Sequence, residues 1–246
     1  MPDPLVTVAV PSFNQGRFLE QALESLFAQD FAAEVFVMDA GSTDGSPEII
    51  ERHAGRLAGW RSGPDGGQSA AINEGIARGR APFVCWLNSD DMFLPGGLVR
   101  LCRELADKES APGVFGRVWN LDDRTGNRRP AWIQPFTERN LSLRCIVSQP
   151  GSLMRRSAWE AVGGLDGRLR MAMDYDLWWR IYRRFGAMAM VDEFVAVNRE
   201  HEETKTRTQR RLHYSEAMDL VRKYHGRIPW KWWLYYPYAV WWKTVF

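Results

Sequence analysis

Two adjacent carboxylates, Asp90 and Asp91, stand in Asn88-Ser89-Asp90-Asp91, directly after the apolar run Phe83-Val84-Cys85-Trp86-Leu87. Like charges at the end of a buried strand repel one another and lose solvation, so they are costly unless a cation lies between them. Hard divalent ions such as Mg²⁺ or Mn²⁺ prefer carboxylate and phosphate oxygens and commonly bridge a protein acid to a diphosphate. The same residues would also serve an ordinary turn, the acids bonding nearby amides ahead of Pro95. Another acid, Asp39, closes the apolar run 34–38 and opens Asp39-Ala-Gly-Ser-Thr-Asp44-Gly. A carboxylate there can accept from a base N–H or a ribose hydroxyl, or it can cap the turn and the helix behind it. Pro11-Ser12-Phe13-Asn14 follows the first apolar run and offers an aromatic surface and an amide. No G-x-G-x-x-G follows that run and no G-x-x-x-x-G-K-[ST] occurs, which closes the dinucleotide and P-loop routes.

These residues need a frame that gathers them. Residues 5–10, 34–38, 60–62 and 83–87 read as strands, and 18–28, 47–54, 69–78 and 95–106 as helices, with Ser69 capping the third. Strands alternating with helices imply βαβ units: an α/β fold with a mostly parallel central sheet and helices on both faces. Ligands of such sheets sit beyond the carboxyl ends of the strands, which are the segments 11–14, 39–44, 65–68 and 88–91. The second half is less regular. Strands are expected at 114–120, 151–155, 188–191 and 195–199, and helices at 158–162, 174–185 and 206–224. The chain divides at about residues 106 and 205, into a regular part, a less regular part and a C-terminal segment.

Composition excludes several classes. The 246 residues are 45% apolar and 25% charged, which argues against disorder, and a net charge of +2 argues against nucleic acid as partner. Three scattered cysteines (Cys85, Cys102 and Cys145) make neither a disulfide framework nor a zinc ribbon and read as packing residues of a cytoplasmic protein. The N-terminus has no signal-peptide pattern. Charge is unevenly placed: residues 205–246 hold nine Lys/Arg against Glu216 and Asp219, a local +7 that leaves −5 for the rest. Nine aromatics fall in the last seventeen residues, between and beyond Lys231 and Lys243. The longest uncharged stretch of this tail is eleven residues and contains Pro237, well short of the about 20 needed to span a bilayer. A headgroup-level segment and a clasp packed on the domain are the two readings.

In order and spacing, VPSFNQGRFLEQALESLFAQ, VFVMDAGSTDGS, DGGQSAAINEGIARG and FVCWLNSDDMFLPGGL resemble family 2 glycosyltransferases of the GT-A fold. SQPGSLMRRSAWEAVGGLDGRLRMAMDYDLWWRI resembles the acceptor-side half of that family, nearest to bacterial enzymes that build O-antigen and other surface polysaccharides. The resemblance makes residues 1–106 the nucleotide-sugar-binding half and 107–205 the acceptor-side half. It makes Asp39 the partner of the nucleotide base, with Pro11, Phe13 and Asn14 in the same pocket. Asp65, Gln68 and Asn73 match the donor-contacting loop and helix. Asn88-Ser-Asp90-Asp91 falls on the D-x-D region with asparagine as its first residue, so Mn²⁺ or Mg²⁺ would rest on Asp90 and Asp91, with His201 as a further ligand. Which of the two acids bonds the ion and which the ribose of the nucleotide sugar stays open, Asp90 being a donor-binding candidate as well. Lys205 or Arg207 would balance charge on the leaving diphosphate. Asp174 matches the catalytic base, although Met173 stands where many members have glutamate.

The family further implies inverting transfer from a nucleoside-diphosphate sugar, UDP or dTDP favoured, to a glycan or polyprenyl-diphosphate-linked acceptor. A protein peripheral to the inner face of the cell membrane follows. At the start of a helix an aspartate is expected to stay ionised, as a base must. Asp176 and at least one of Trp178 and Trp179 read as structural. Two rivals are a non-catalytic membrane-associated relative, kept open by Asn88 and Met173, and a sugar nucleotidyltransferase, for which PSFNQG is a poor phosphate loop.

Overall fold

The computed structural model describes residues 5–240, and strands and helices alternate through its first half. The order is β1 (Val6–Ser12), α1 (Gly16–Phe27), β2 (Ala33–Asp39), α2 (Ser46–His53), β3 (Gly59–Ser62), α3 (Gln68–Arg78) and β4 (Phe83–Trp86). Strands β1, β2 and β4 are Val- or Phe-rich, as suits strands covered on both faces, and β1 and β4 are buried throughout, whereas edge strand β3 is only half-buried. The helices bury one stripe apiece. In α1 it is Phe18, Leu19, Ala22, Leu23 and Leu26, at helical spacing. Helix α3 lies unusually close to the sheet, since a Cβ on Gly75 would stand 2.8 Å from that of Ala9.

The chain continues through β5 (Met92–Phe93), α4 (Gly97–Asp107), β6 (Gly113–Asp122), β7 (Arg128–Pro130), α5 (Glu138–Leu143), β8 (Ser152–Arg155), α6 (Arg156–Val162), α7 (Met173–Phe185) and β9 (Ala189–Glu200). Short α8 (Lys205–Thr208), then α9 (Arg210–His225) and α10 (Trp230–Val240), close the described chain. One sheet runs β3-β2-β1-β4-β8-β6-β9-β5, with β7 beside β6. Its longest ladders, β1 with β2 and β6 with β9, are parallel. Antiparallel β8 joins β4 to β6 and so stitches the regular half to the irregular one. Both large apolar cores draw on residues from each half, for example Trp86 with Trp178, and Val8 with Val195.

Four expectations need correction. Gly67, not Ser69, is the N-cap of α3, and Ser69 is buried within the helix. The two strands expected at 188–191 and 195–199 are one strand, β9. Its polar Asp192-Glu193 sit beside a register shift in β6, where Asp192 pairs with Arg117. The helix expected over 206–224 breaks at Gln209. The aromatic segment, read only by composition, is helix α10 with Pro237 inside it. The expected aromatics Trp241, Trp242 and Phe246, and Lys243, lie outside the described residues.

Candidate active site

Because β1, β2, β3 and β4 are parallel, their carboxyl ends share one edge of the sheet. Four elements converge there on the carboxylate turn. Asp90 follows β4, and its Oδ2 stands 3.1 Å from Nε2 of His201 at the end of β9. The His201 ring is buried and tilted against Phe18, 4.7 Å between centroids. Gln68, at the start of α3, donates to Asn88 Oδ1 at 2.8 Å and accepts from Lys205 Nζ at 2.8 Å. The Lys205 ammonium loses solvent against surrounding protein, which lowers its pKa, while the nearby Asp90 carboxylate opposes that shift.

Asp91 is placed differently from its neighbour. Its carboxylate is buried and accepts from the Arg199 amide at 3.0 Å and from Asn88 Nδ2 at 3.1 Å. Burial and the adjacent Asp90 push its pKa well above the usual carboxylate range. Both oxygens are thus engaged by protein donors, and the carboxylate anchors the turn to β9. Asn88 also donates to Gln149 Oε1 at 3.1 Å, and Gln149 donates to the Trp86 carbonyl at 2.7 Å. An aspartate at 88 would offer only acceptors to Asp91 and Gln149, so this network uses the asparagine for its N–H donors.

The loops after β1 and β2 are pinned to each other. Asn14, the one described non-glycine residue with positive φ, at 51°, donates its amide to Ser42 Oγ at 2.8 Å, and its side-chain oxygen accepts from the Thr43 amide at 2.9 Å. Asp39 is wholly buried. It accepts from the amides of Gly41 and Ser42 at 3.0 and 2.9 Å and from the hydroxyls of Ser42 and Ser62 at 2.5 and 2.6 Å. Those donors outweigh the cost of burial and hold its pKa low. Three of these bonds fall on Oδ2 and one, from the Ser42 hydroxyl, on Oδ1, so the carboxylate fixes the loop after β2. Pro11 is buried in β1, and Phe13 is 59% exposed at the mouth. Asp65 accepts from Arg61 at 3.2 Å and from the Gly67 amide at 2.7 Å, fixing the loop that delivers Gln68.

Asp174 lies in the first turn of α7, whose N-cap is Ala172, and accepts from the Tyr175 amide at 2.7 Å. It is neither the N-cap nor held strongly acidic. Loss of solvent raises its pKa to about 6, above the ordinary aspartate value, despite its place at the helix start. Arg170, in the loop leading to α7, adds like charge that lowers the Lys205 pKa further, against the raising effect of Asp90. Asp176 is buried and accepts from Arg180 at 2.6 Å and Tyr224 at 2.7 Å. Trp178 and Trp179 are both fully buried, so neither forms a sugar platform.

The structure thus gathers Asp90, His201, Gln68 and Lys205, and lines their approach with the loops carrying Phe13, Asn14, Asp39 and Asp65. Asn73 is not among them. Its side-chain oxygen and nitrogen bond the Leu165 amide and carbonyl, each at 2.9 Å, so it staples α3 to the loop after α6. Two residues escaped the sequence reading, Gln149 and Arg199. Arg199 is buried and reaches the Asp90 carbonyl, Asp123 and Gln21 at 3.1, 2.7 and 2.6 Å. Its place three residues after Ala196, at a strand end in sequence with His201, was the available signal. A separate cluster, Glu20, Glu24 and His53, brings its ligand atoms within 4.8 Å of one another. Arg52 and Arg56 already pair with its glutamates, so no cation is called for.

Residues 7–163 match the family model of glycosyl transferase family 2. Among curated proteins, the chain is 28% identical over 191 residues to an uncharacterized glycosyltransferase of Rickettsia conorii, covering 73% of this chain and 31% of that protein. It is 22% identical over 181 residues to the chondroitin synthase of Pasteurella multocida, covering 72% of this chain and 19% of the synthase. The chain therefore spans about a third or less of the length of these relatives. Among solved structures, S. aureus TarS residues 1–349 with UDP-GlcNAc superimposes at a TM-score of 0.72 and 19% identity, over 89% of this chain and 65% of the other. The mannosyltransferase PcManGT of Pyrobaculum calidifontis with GDP-Man and Mn²⁺ covers 99% of this chain and 72% of its own, at a TM-score of 0.68 and 19% identity. The family match begins in β1, passes through the carboxylate turn and ends beyond α6, and the chain belongs to glycosyl transferase family 2.

Proposed function

We propose that the protein is an inverting glycosyltransferase that moves a sugar from a nucleoside-diphosphate donor, UDP or dTDP, to a hydroxyl of a glycan or polyprenyl-diphosphate-linked acceptor. The observation that carries this reading is the meeting of Asp90, His201, Gln68 and Lys205 at the carboxyl edge of the parallel strands. The donor would enter against the loops of Asn14 and Asp65, with Phe13 offering a face for the base and Lys205 facing the diphosphate. Asp174 accepts the proton of the acceptor hydroxyl. That oxygen forms a bond to the anomeric carbon as the bond to the diphosphate breaks, and the nucleoside diphosphate leaves on the opposite face.

Asp90 and His201 fit a divalent ion. Two donors about 2.1 Å from an octahedral ion lie about 3.0 Å apart, close to their spacing here. Mn²⁺ or Mg²⁺ held there would neutralise charge on the leaving diphosphate. Asp91 supports this pair from behind through the turn it anchors. TarS and PcManGT, which bind UDP-GlcNAc and GDP-Man, support a nucleotide-sugar donor in this fold. Polysaccharide synthases among the relatives support a glycan product, and a place on the inner face of the membrane would suit a lipid-linked acceptor. No described helix is long and apolar enough to cross a membrane.

A panel of nucleotide sugars, scored for Mn²⁺-dependent thermal stabilisation and slow donor hydrolysis, tests the reading. One or two donors should raise the melting temperature only with Mn²⁺ or Mg²⁺ present. Stabilisation by no donor, or by nucleoside triphosphates with pyrophosphate release, would instead favour the non-catalytic or nucleotidyltransferase alternative.

A further inference from the structure

Helix α10 has two apolar sides. Its inward side is Trp232, Ala239 and Val240, all buried, with half-buried Tyr236 edge-on to Tyr214. Trp232 donates its indole N–H to the Ser142 carbonyl at 2.8 Å. The outward side carries Trp230, Trp233, Leu234, Tyr235 and Tyr238, between 52% and 68% exposed. These five are half of the large exposed apolar side chains among the described residues, yet they fall within nine positions. Surface helices ordinarily turn polar residues outward, and a contiguous apolar stripe marks a contact face.

Charge identifies the occupant. After Asp219 the chain has five Lys/Arg and no acid, and Arg227 and Lys231 are exposed on either side of Trp230. The acids of α9 are already engaged: Glu216 accepts from the amides of Arg170, Met171 and Ala172, and Asp219 pairs with Arg222. Tryptophan and tyrosine favour the headgroup level of a bilayer, and basic residues beside them favour anionic lipid.

We propose that the outward face of α10 docks the protein on an anionic lipid bilayer, with Trp230, Trp233, Leu234, Tyr235 and Tyr238 at the headgroup level and Arg227 and Lys231 against lipid phosphates. The docking helix is close to the chemistry. Ser142 lies in α5, whose Leu141 carbonyl accepts from the hydroxyl of Tyr175, the neighbour of Asp174. Docking would thus hold the acceptor side at the surface where a lipid-linked acceptor lies. It gives a face to the peripheral location proposed above and rests on that reading only for its purpose.

Co-sedimentation of the full chain with phosphatidylglycerol-containing vesicles, and with pure phosphatidylcholine vesicles, tests the proposal. Binding should need the anionic lipid, blue-shift tryptophan emission, and weaken as salt rises from about 0.1 to about 0.5 M. The triple variant W230S/W233S/L234S should bind anionic vesicles on the order of tenfold more weakly while keeping the wild-type melting temperature and donor hydrolysis. Indifference of the intact chain to anionic vesicles, or undiminished binding by the variant, overturns the proposal. So does a dimer in light scattering that the variant dissociates while vesicles are ignored, because the face would then be a self-interface. Loss of donor hydrolysis with vesicle binding intact would count against the proposed enzyme and leave the docking face standing.

Discussion

Asp174 holds its proton more tightly than an ordinary aspartate because its surroundings remove water faster than they supply donors. One amide, from Tyr175, does not compensate, and the pKa rises to about 6. A base so tuned is still ionised at neutral pH and takes a proton more readily than an unshifted carboxylate. The sign of the linkage follows. The folded pKa is raised, so the protonated form is the one the fold favours, and its stabilisation is full below about pH 4 and lost as pH rises through about 6. Asp174→Asn keeps the shape of the protonated side chain but accepts no proton. Its transfer rate should fall on the order of 10²-fold or more with donor affinity intact, and at pH 8 it should be more stable than wild type by on the order of 1–3 kcal/mol. Denaturant titrations at pH 5 and pH 8, beside transfer rates, check both; wild-type turnover would place the base elsewhere. The acidic residues were legible because carboxylates at strand and helix ends are few. What sequence did not reveal is which oxygens are already engaged: Asp91 looks as available as Asp90 until the Arg199 amide and the Asn88 side chain are found on it.

At the scale of elements, the parallel half was readable because each strand there is a short apolar run bounded by turn residues. Periodicity fails where a strand must bend. Asp192-Glu193 looks like a break in β9, yet the strand continues because β6 shifts register beside it and Arg117 takes the aspartate. Asn73 illustrates the same limit for a helix. Its position on α3 suited a donor contact, but the helix faces the loop after α6 at that point and the amide is consumed by Leu165. Asn73→Ala leaves a backbone N–H and a carbonyl of Leu165 without their partners. The expected loss is about 1–3 kcal/mol of stability, read from the urea midpoint, with donor affinity unchanged once the fold is saturated. A weakened donor affinity at unchanged stability would return Asn73 to the binding site.

Across the whole molecule, the two C-terminal helices pack on the domain, and composition alone presented that packing and a headgroup-level segment as alternatives. Asp176 ties α7 to α9 through Tyr224, with Trp179 stacked on that tyrosine at 5.7 Å, and Trp232 ties α10 to α5. The segment is therefore a clasp on its inward side whatever its outward side meets. Aromatic content could not separate the readings, because the same residue types serve a core and a headgroup layer, and only the helical phase assigns them. That phase puts Trp232 and Trp233, adjacent in sequence, in opposite environments: 8% exposed against 58%. Trp232→Ala removes a buried ring and leaves the Ser142 carbonyl without its donor, and should cost about 3–5 kcal/mol. Trp233→Ala exposes nothing new and should stay within about 0.5 kcal/mol of wild type. Urea unfolding of the two variants without lipid measures the difference. Equal losses would mean that α10 packs in another phase, and equal indifference that the clasp contributes nothing to the stability of the domain it covers.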